Sequence, residues 1–250
     1  MDEAKHKQDN PLVSIAINVV IPVAILTLLS KEKYLGPVWA LVAGLLFPIS
    51  YGLRTLIRDR KADFMSIIGI VSVTLTGVFG ILKLPPEYIA IKEAAIPLLL
   101  GLAIIGSLKT PFPLIKKIMM TEALFDVERL KSALKEKGNE AIFEKRLVGL
   151  TWGFASSMFL SAGLNYALAK VVLKSEPGTE AFTAELGKMT GLSHVVVLIP
   201  CMVVMIWVMN KLFNTLTELT GLQLDDLLAA HHKKEIPAAA AETDEPPAAL

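Results

Sequence analysis

Six apolar runs, at residues 12 to 30, 36 to 57, 64 to 82, 89 to 108, 147 to 173 and 192 to 213, alternate with short charged segments along this chain. At about 1.5 Å per residue, each approaches or exceeds the length that crosses a hydrocarbon layer of roughly 30 Å. In that solvent the backbone must satisfy its own polar groups, which a helix does. The pattern therefore predicts an all-α polytopic membrane protein with six transmembrane helices. It divides the chain into a cytoplasmic N-terminus (1–11), helices one to four (12–108), a cytoplasmic amphipathic segment (109–146), helices five and six (147–213), and a cytoplasmic tail (214–250) that is disordered from about 237.

Within the segment 109–146, Thr110-Pro111-Phe112-Pro113 stops the fourth helix. From Thr121 to Lys137 the apolar residues Leu124, Phe125, Val127, Leu130 and Leu134 recur near helical spacing, between charged positions, up to Gly138. This predicts an amphipathic helix, lying on the bilayer surface or under the bundle, or offering a docking face to a partner. Asn139 is placed to cap a further helix that runs into the fifth span. On the opposite side, Pro177-Gly178 marks a turn, and Phe182 and Leu186 give the following Thr179 to Leu186 one apolar face, as in a short interfacial helix. The Ala-rich tail with Glu242, Asp244 and Glu245 has no apolar periodicity.

The fifth run carries a ladder of Gly149, Gly153, Ser157, Ser161, Asn165 and Ala169, one at every fourth position. Small residues at that spacing let a neighbouring backbone approach closely, so the row predicts a packing seam. Its partner is either another span or a second copy of the chain. Shorter rows occur in the third run (Gly69, Ser72, Thr76, Gly80) and the fourth (Ala90, Ala94, Gly101).

Composition leaves no room for a separate soluble domain: 53% of the 250 residues are hydrophobic, with net charge +1 and mean hydropathy +0.55. Lysine and arginine set the orientation. Eighteen of them fall on the side shared by the termini, the second loop (Arg58-Asp59-Arg60-Lys61) and the segment 109–146, against six on the other side. By the positive-inside bias both termini are cytoplasmic. Lys5 and Lys7 precede the first run as they would in a signal peptide, but the run is too long and no small-residue cleavage pattern follows, so it reads as a retained span.

Polar groups within the runs each need an account, because they are costly in lipid. Lys92 and Glu93 are adjacent and project about 100° apart, so the spacing predicts that they do not pair with each other. Lys92 can snorkel to the outer boundary. Glu93, being shorter, is the stronger candidate for a buried functional carboxylate. Asn18 and Asn165 complete the candidate intramembrane polar site. Pro22, Pro48, Pro97 and Pro200 predict kinks. Ile21-Pro22 and Ile96-Pro97 sit at comparable depths in runs of opposite direction, as an inverted repeat of three helices requires, but the other runs do not match. The lone Cys201 reads as a packing residue, and neither His194 nor His231-His232 has metal-ligand neighbours. No phosphate-binding loop, dinucleotide fingerprint, nucleophile elbow or zinc motif is present, and the basic loops lack the aromatic residues expected for nucleic acid. These readings predict no catalytic residue, no cofactor and no nucleic-acid partner, with membrane lipid as the surrounding partner.

The stretch Tyr88-Ile89-Ala90-Ile91-Lys92-Glu93, followed by an apolar run to Ile105-Gly106-Ser107 and then Pro113-Leu114-Ile115-Lys116-Lys117-Ile118-Met119, resembles bacterial intracellular septation protein A. Leu164-Asn165-Tyr166-Ala167-Leu168-Ala169 and Gly187-Lys188-Met189-Thr190-Gly191-Leu192 are similar to later parts of that family in the same order. The resemblance extends to small membrane proteins grouped with septation protein A or with major-facilitator transporters. The family has Lys-x-Lys where this chain has Ala90 and Lys92, and this chain adds Glu93, the segment 121–146 and the acidic tail. The resemblance implies a multi-pass protein of the bacterial inner membrane with a non-enzymatic role in the cell envelope or septation, acting with itself or other envelope proteins. The polar residues within the runs support a different expectation, a small-solute or ion transporter working as a homodimer.

Overall fold

The computed structural model describes residues 16–59, 64–110, 125–223 and 226. The segment 1–11, residues 111–124 with the start of the expected amphipathic helix, His231-His232 and the tail expected to be disordered lie outside them. The described chain is helical, without a strand: α1 (Ala16–Leu28), α2 (Gly36–Asp59), α3 (Phe64–Ile81), α4 (Pro86–Ser107), α5 (Val127–Glu136), α6 (Glu140–Val172), α7 (Glu180–Ser193) and α8 (Ile199–Thr220). Two stretches, Ala16–Val20 at the start of α1 and His194–Leu198 between α7 and α8, are wound as π-helix.

Among the described residues, four helical stretches are long and apolar enough to cross a membrane: Gly36–Arg54, Pro86–Ser107, Glu140–Val172 and Glu180–Thr220. The first and third runs give shorter apolar helices, Ala16–Leu28 and Ile67–Ile81. Only 11% to 33% of the residues in each long window are buried, so most of their apolar side chains face outward. Trp39, Leu99 and Val203 are each more than half exposed. Water disfavours so extensive an apolar surface and lipid does not.

The chain forms two compact units, one of residues 1–99 with 158–202 and the other of residues 100–157 with 203–250. In the first, Phe182, Leu186 and Met189 of α7 are buried with Leu26, Leu41, Ile89 and Leu168. The short helix expected after Pro177-Gly178 is therefore packed into this unit. Its apolar face is there, but α7 is a core element, longer than Thr179 to Leu186, and it continues through the π-turn into α8. Gly187 permits that packing. A Cβ there would stand 2.9 Å from Cβ of Leu26 and 3.3 Å from the carbonyl oxygen of Val23.

In the second unit α5 begins at Val127, with the Asp126 side chain accepting from the Arg129 N–H at 3.0 Å. Gly138, at φ +66°, turns the chain out of α5, and the N–H groups of Gly138 and Asn139 return to the carbonyls of Lys135 and Leu134 at 3.1 and 2.9 Å. Asn139 precedes α6 as expected, but its side chain serves another helix: Nδ2 donates to the carbonyl of Leu219 at 2.8 Å, satisfying an acceptor in the last turn of α8. Phe125, Leu130 and Leu134, the apolar face read from the sequence, are buried with Phe143, Leu147, Leu212 and Leu216.

The predicted seam is used unevenly. In the second unit a Cβ on Gly153 would stand 2.8 Å from Cγ2 of Val208, a close helix approach, and Ser157 is buried. Gly149, by contrast, has nothing within 4 Å of such a Cβ and does not belong to the contact. In the first unit Ala169 is buried and Ser161 is half-buried.

Candidate functional site

The four polar residues expected within the apolar runs line one cavity of about 210 Å³ in the first unit. α1 supplies Asn18, α4 supplies Lys92 and Glu93, and α6 supplies Asn165. Ser72 and Thr76 of α3 and Thr190 and Ser193 of α7 complete its polar wall. The volume is well above the ~10–15 Å³ that one water needs, and the lining offers it several partners.

Lys92 and Glu93 are where the structure departs most from the sequence. Lys92 is buried at 9% exposure rather than snorkelling, and its Nζ lies 2.7 Å from Oε1 of Glu93. The expected failure to pair assumed straight side chains leaving the helix about 100° apart. Lys92 also reaches α3, where Nζ donates to Oγ1 of Thr76 at 2.7 Å, Oγ of Ser72 at 3.1 Å and the Ser72 carbonyl at 3.2 Å. The buried member is therefore the lysine, while the Glu93 side chain keeps 28% of its surface.

The hydrogen-bond inventory is lopsided. An ammonium has three N–H donors, and Lys92 has four acceptors within reach, so its donor capacity is committed. A carboxylate has about four lone-pair positions, and the Lys92 bond uses one of Glu93's. The cavity consequently presents acceptor capacity, with the positive charge already countered.

The prolines act at this site through the backbone. Proline has no N–H and withholds a bond from the carbonyl four residues earlier. For Pro97 that carbonyl belongs to Glu93, and for Pro22 it belongs to Asn18. Pro22 and Pro48 also line the cavity. Ahead of Pro22 the chain is wound as π-helix, and the same holds ahead of Pro200. Thus two of the four predicted kinks coincide with changes of helical register.

Asn165 is held along its own helix, Nδ2 donating to the carbonyl and Oγ of Ser161 at 2.9 and 3.2 Å. Ser72 and Thr76 escaped the sequence reading as site residues because hydroxyls four apart in a small-residue row read as packing. A lysine in the following helix was the available signal. Thr190 and Ser193 carried no comparable signal; Ser193 Oγ donates to the Thr190 carbonyl at 2.7 Å just before the π-turn.

Among the described residues, no group of three or more His, Cys, Asp or Glu is arranged to hold a metal ion. Comparison with protein-family models, curated proteins and solved structures found no match to this chain.

Proposed function

We propose that this chain is a bacterial inner-membrane protein that crosses the bilayer six times, with both termini in the cytoplasm, and passes a small cation or hydrogen-bond-donating solute through the Lys92–Glu93 cavity. The observation that carries the reading is a buried lysine, neutralised and hydrogen-bonded, beside a carboxylate with spare acceptor capacity in a polar cavity. Intramembrane ionisable groups are expensive, and such groups mark substrate or ion pathways. The resemblance to septation protein A supports the inner-membrane setting.

A test is thermal stabilisation of the purified full-length protein by a panel of monovalent cations, primary ammonium ions, polyols and anions. A cation or polyol should stabilise the wild type and fail to stabilise Glu93→Gln. In a Cys201→Ala background, Ser72→Cys should react with a small water-soluble thiol reagent. A panel with no stabilising member, together with an unreactive Ser72→Cys, sinks the reading.

A second reading, a non-enzymatic envelope or septation role through partner contacts, is favoured by an open cleft of about 370 Å³ where α5 meets the start of α6, beside Lys131, Lys135 and Glu144. Charge reversal at Lys131 and Lys135 would then abolish rescue of a deletion phenotype, whereas Glu93→Gln would rescue fully.

A further inference from the structure

We propose that the groove between α6 and α8 in the second unit binds the headgroup of an anionic phospholipid. The groove has a volume of about 570 Å³ and is remote in sequence from the cavity residues of α1 and α3. On α8, Trp207, Asn210, Lys211 and Asn214 follow the i, i+3, i+4, i+7 spacing that puts them on one helix face, and all four are exposed. The buried side of the same helix carries Val208, Leu212 and Leu216, so the polar row is not left over from packing.

The charges are already sorted. Arg146 of α6 is fixed by Glu218, with Nη2 donating to Oε1 at 2.8 Å, so its charge is countered and its guanidinium forms a wall. Lys211 has no carboxylate partner among the described residues, and its ammonium lies 5.2 Å from the centre of the Trp207 ring. One uncompensated ammonium between two asparagine side chains is a suitable set of donors for a phosphate. Gly149 leaves the floor open, since a Cβ there would meet nothing within 4 Å.

A lipid is favoured over a free phosphate by what surrounds the donors. Trp207 is 58% exposed, and the row continues along α8 into Ile206 and Val203, 55% and 62% exposed, a track for an acyl chain. Tryptophan beside a basic residue is the arrangement found at headgroup depth. The lysine and arginine bias puts this end of α6 and α8 at the cytoplasmic leaflet, where anionic lipids attract basic side chains.

The experiment is thermal stability of the full-length protein in neutral detergent, titrated separately with phosphatidylglycerol, phosphatidylcholine and inorganic phosphate. Phosphatidylglycerol alone should raise the melting temperature. Lys211→Gln should weaken that effect about fivefold, the loss expected for one lysine near an anionic surface. Lys131→Gln, elsewhere in the same unit, should leave it unchanged. Equal stabilisation by phosphatidylcholine, an equal effect of inorganic phosphate, or an equal loss in Lys131→Gln overturns the proposal. Should Lys211→Gln fail to fold, Gly149→Leu decides, because it fills the open floor without altering charge: loss of the phosphatidylglycerol effect supports the site, and its retention overturns it.

Discussion

The ammonium of Lys92 lies 2.7 Å from the carboxylate of Glu93, its immediate neighbour on the same helix. Adjacent helical positions project about 100° apart, yet the pair closes with the Lys92 ammonium also bonded to Ser72 and Thr76 of α3. The ion pair is thus a tertiary feature, made by the cavity wall as much as by α4.

The two members should respond differently to removal. Glu93→Leu leaves a buried ammonium without its countercharge, whereas Lys92→Met leaves a carboxylate that is 28% exposed and reaches the cavity. Breaking a fully buried pair costs about 3–5 kcal/mol; with Glu93 partly hydrated, a loss of about 1–3 kcal/mol is expected for Glu93→Leu and less for Lys92→Met. The double variant should be more stable than the sum of the two losses implies. Denaturation in detergent measures all three. Strictly additive losses would show that the pair is not coupled.

Close packing of α7 on α1 rests on Gly187, where a Cβ would stand 2.9 Å from Leu26 and Thr27, while a Cβ on Gly191 would be 3.8 Å from Val23. Gly187→Leu should therefore destabilise by about 1–3 kcal/mol through overpacking, and Gly191→Ala should be tolerated. Melting temperatures of the two variants in one detergent decide it; equal melting temperatures would remove Gly187 from the contact.

The apolar runs locate the helices because period and length are local properties. But for their last residues, the described parts of the runs lie on helices, four of the runs in stretches long enough to cross a membrane, and Val127, Leu130 and Leu134 are the buried face of α5, with Phe125 buried just ahead of it. What local pattern does not carry is partnership. Gly149 and Gly153 are equivalent in the ladder, yet of the two only Gly153 meets a neighbour. Lys92 reads as a snorkelling residue until α3 supplies its acceptors. The candidate polar residues were legible because lipid makes any polar group conspicuous; their pairing was not, because it depends on another helix.

Glu185 organises the connection between α6 and α7. Its Oε2 accepts from the N–H groups of Lys174 and Ser175 at 2.9 and 3.0 Å, and Oε1 accepts from the Ser175 hydroxyl at 2.7 Å. Glu185→Ala leaves two amides to find water and should cost about 1–3 kcal/mol. Limited proteolysis should then cut near Lys174 faster than in the wild type. An unchanged cleavage rate and melting temperature would show that the loop does not depend on this carboxylate.

Topology can be checked at positions the fold leaves accessible. Thr183, facing outward by sequence position, is buried at 2% exposure and is a poor labelling site; Lys33, Lys174 and Glu176 are exposed. In a Cys201→Ala background, cysteines at those three positions should react with an impermeant reagent added to intact cells. A cysteine at Lys131 should react only after lysis. Reversal of either group overturns the six-crossing arrangement with cytoplasmic termini.

Gly149 and Gly153 sit one helical turn apart on α6 and allow the seam to be tested against itself. With nothing within 4 Å of its Cβ position, Gly149→Ala gains helix propensity without a clash and should stabilise by up to about 1 kcal/mol. Gly153→Ala gains the same propensity but places a methyl 2.8 Å from Cγ2 of Val208. Val208 is buried, so it has little freedom to yield, and the net effect should be a loss. Adding Val208→Ala to Gly153→Ala removes the clashing methyls, and the double variant should recover part of that loss. Thermal melts of the four proteins in one detergent give the coupling directly. If Gly153→Ala stabilises as much as Gly149→Ala, α6 and α8 do not approach closely at this turn.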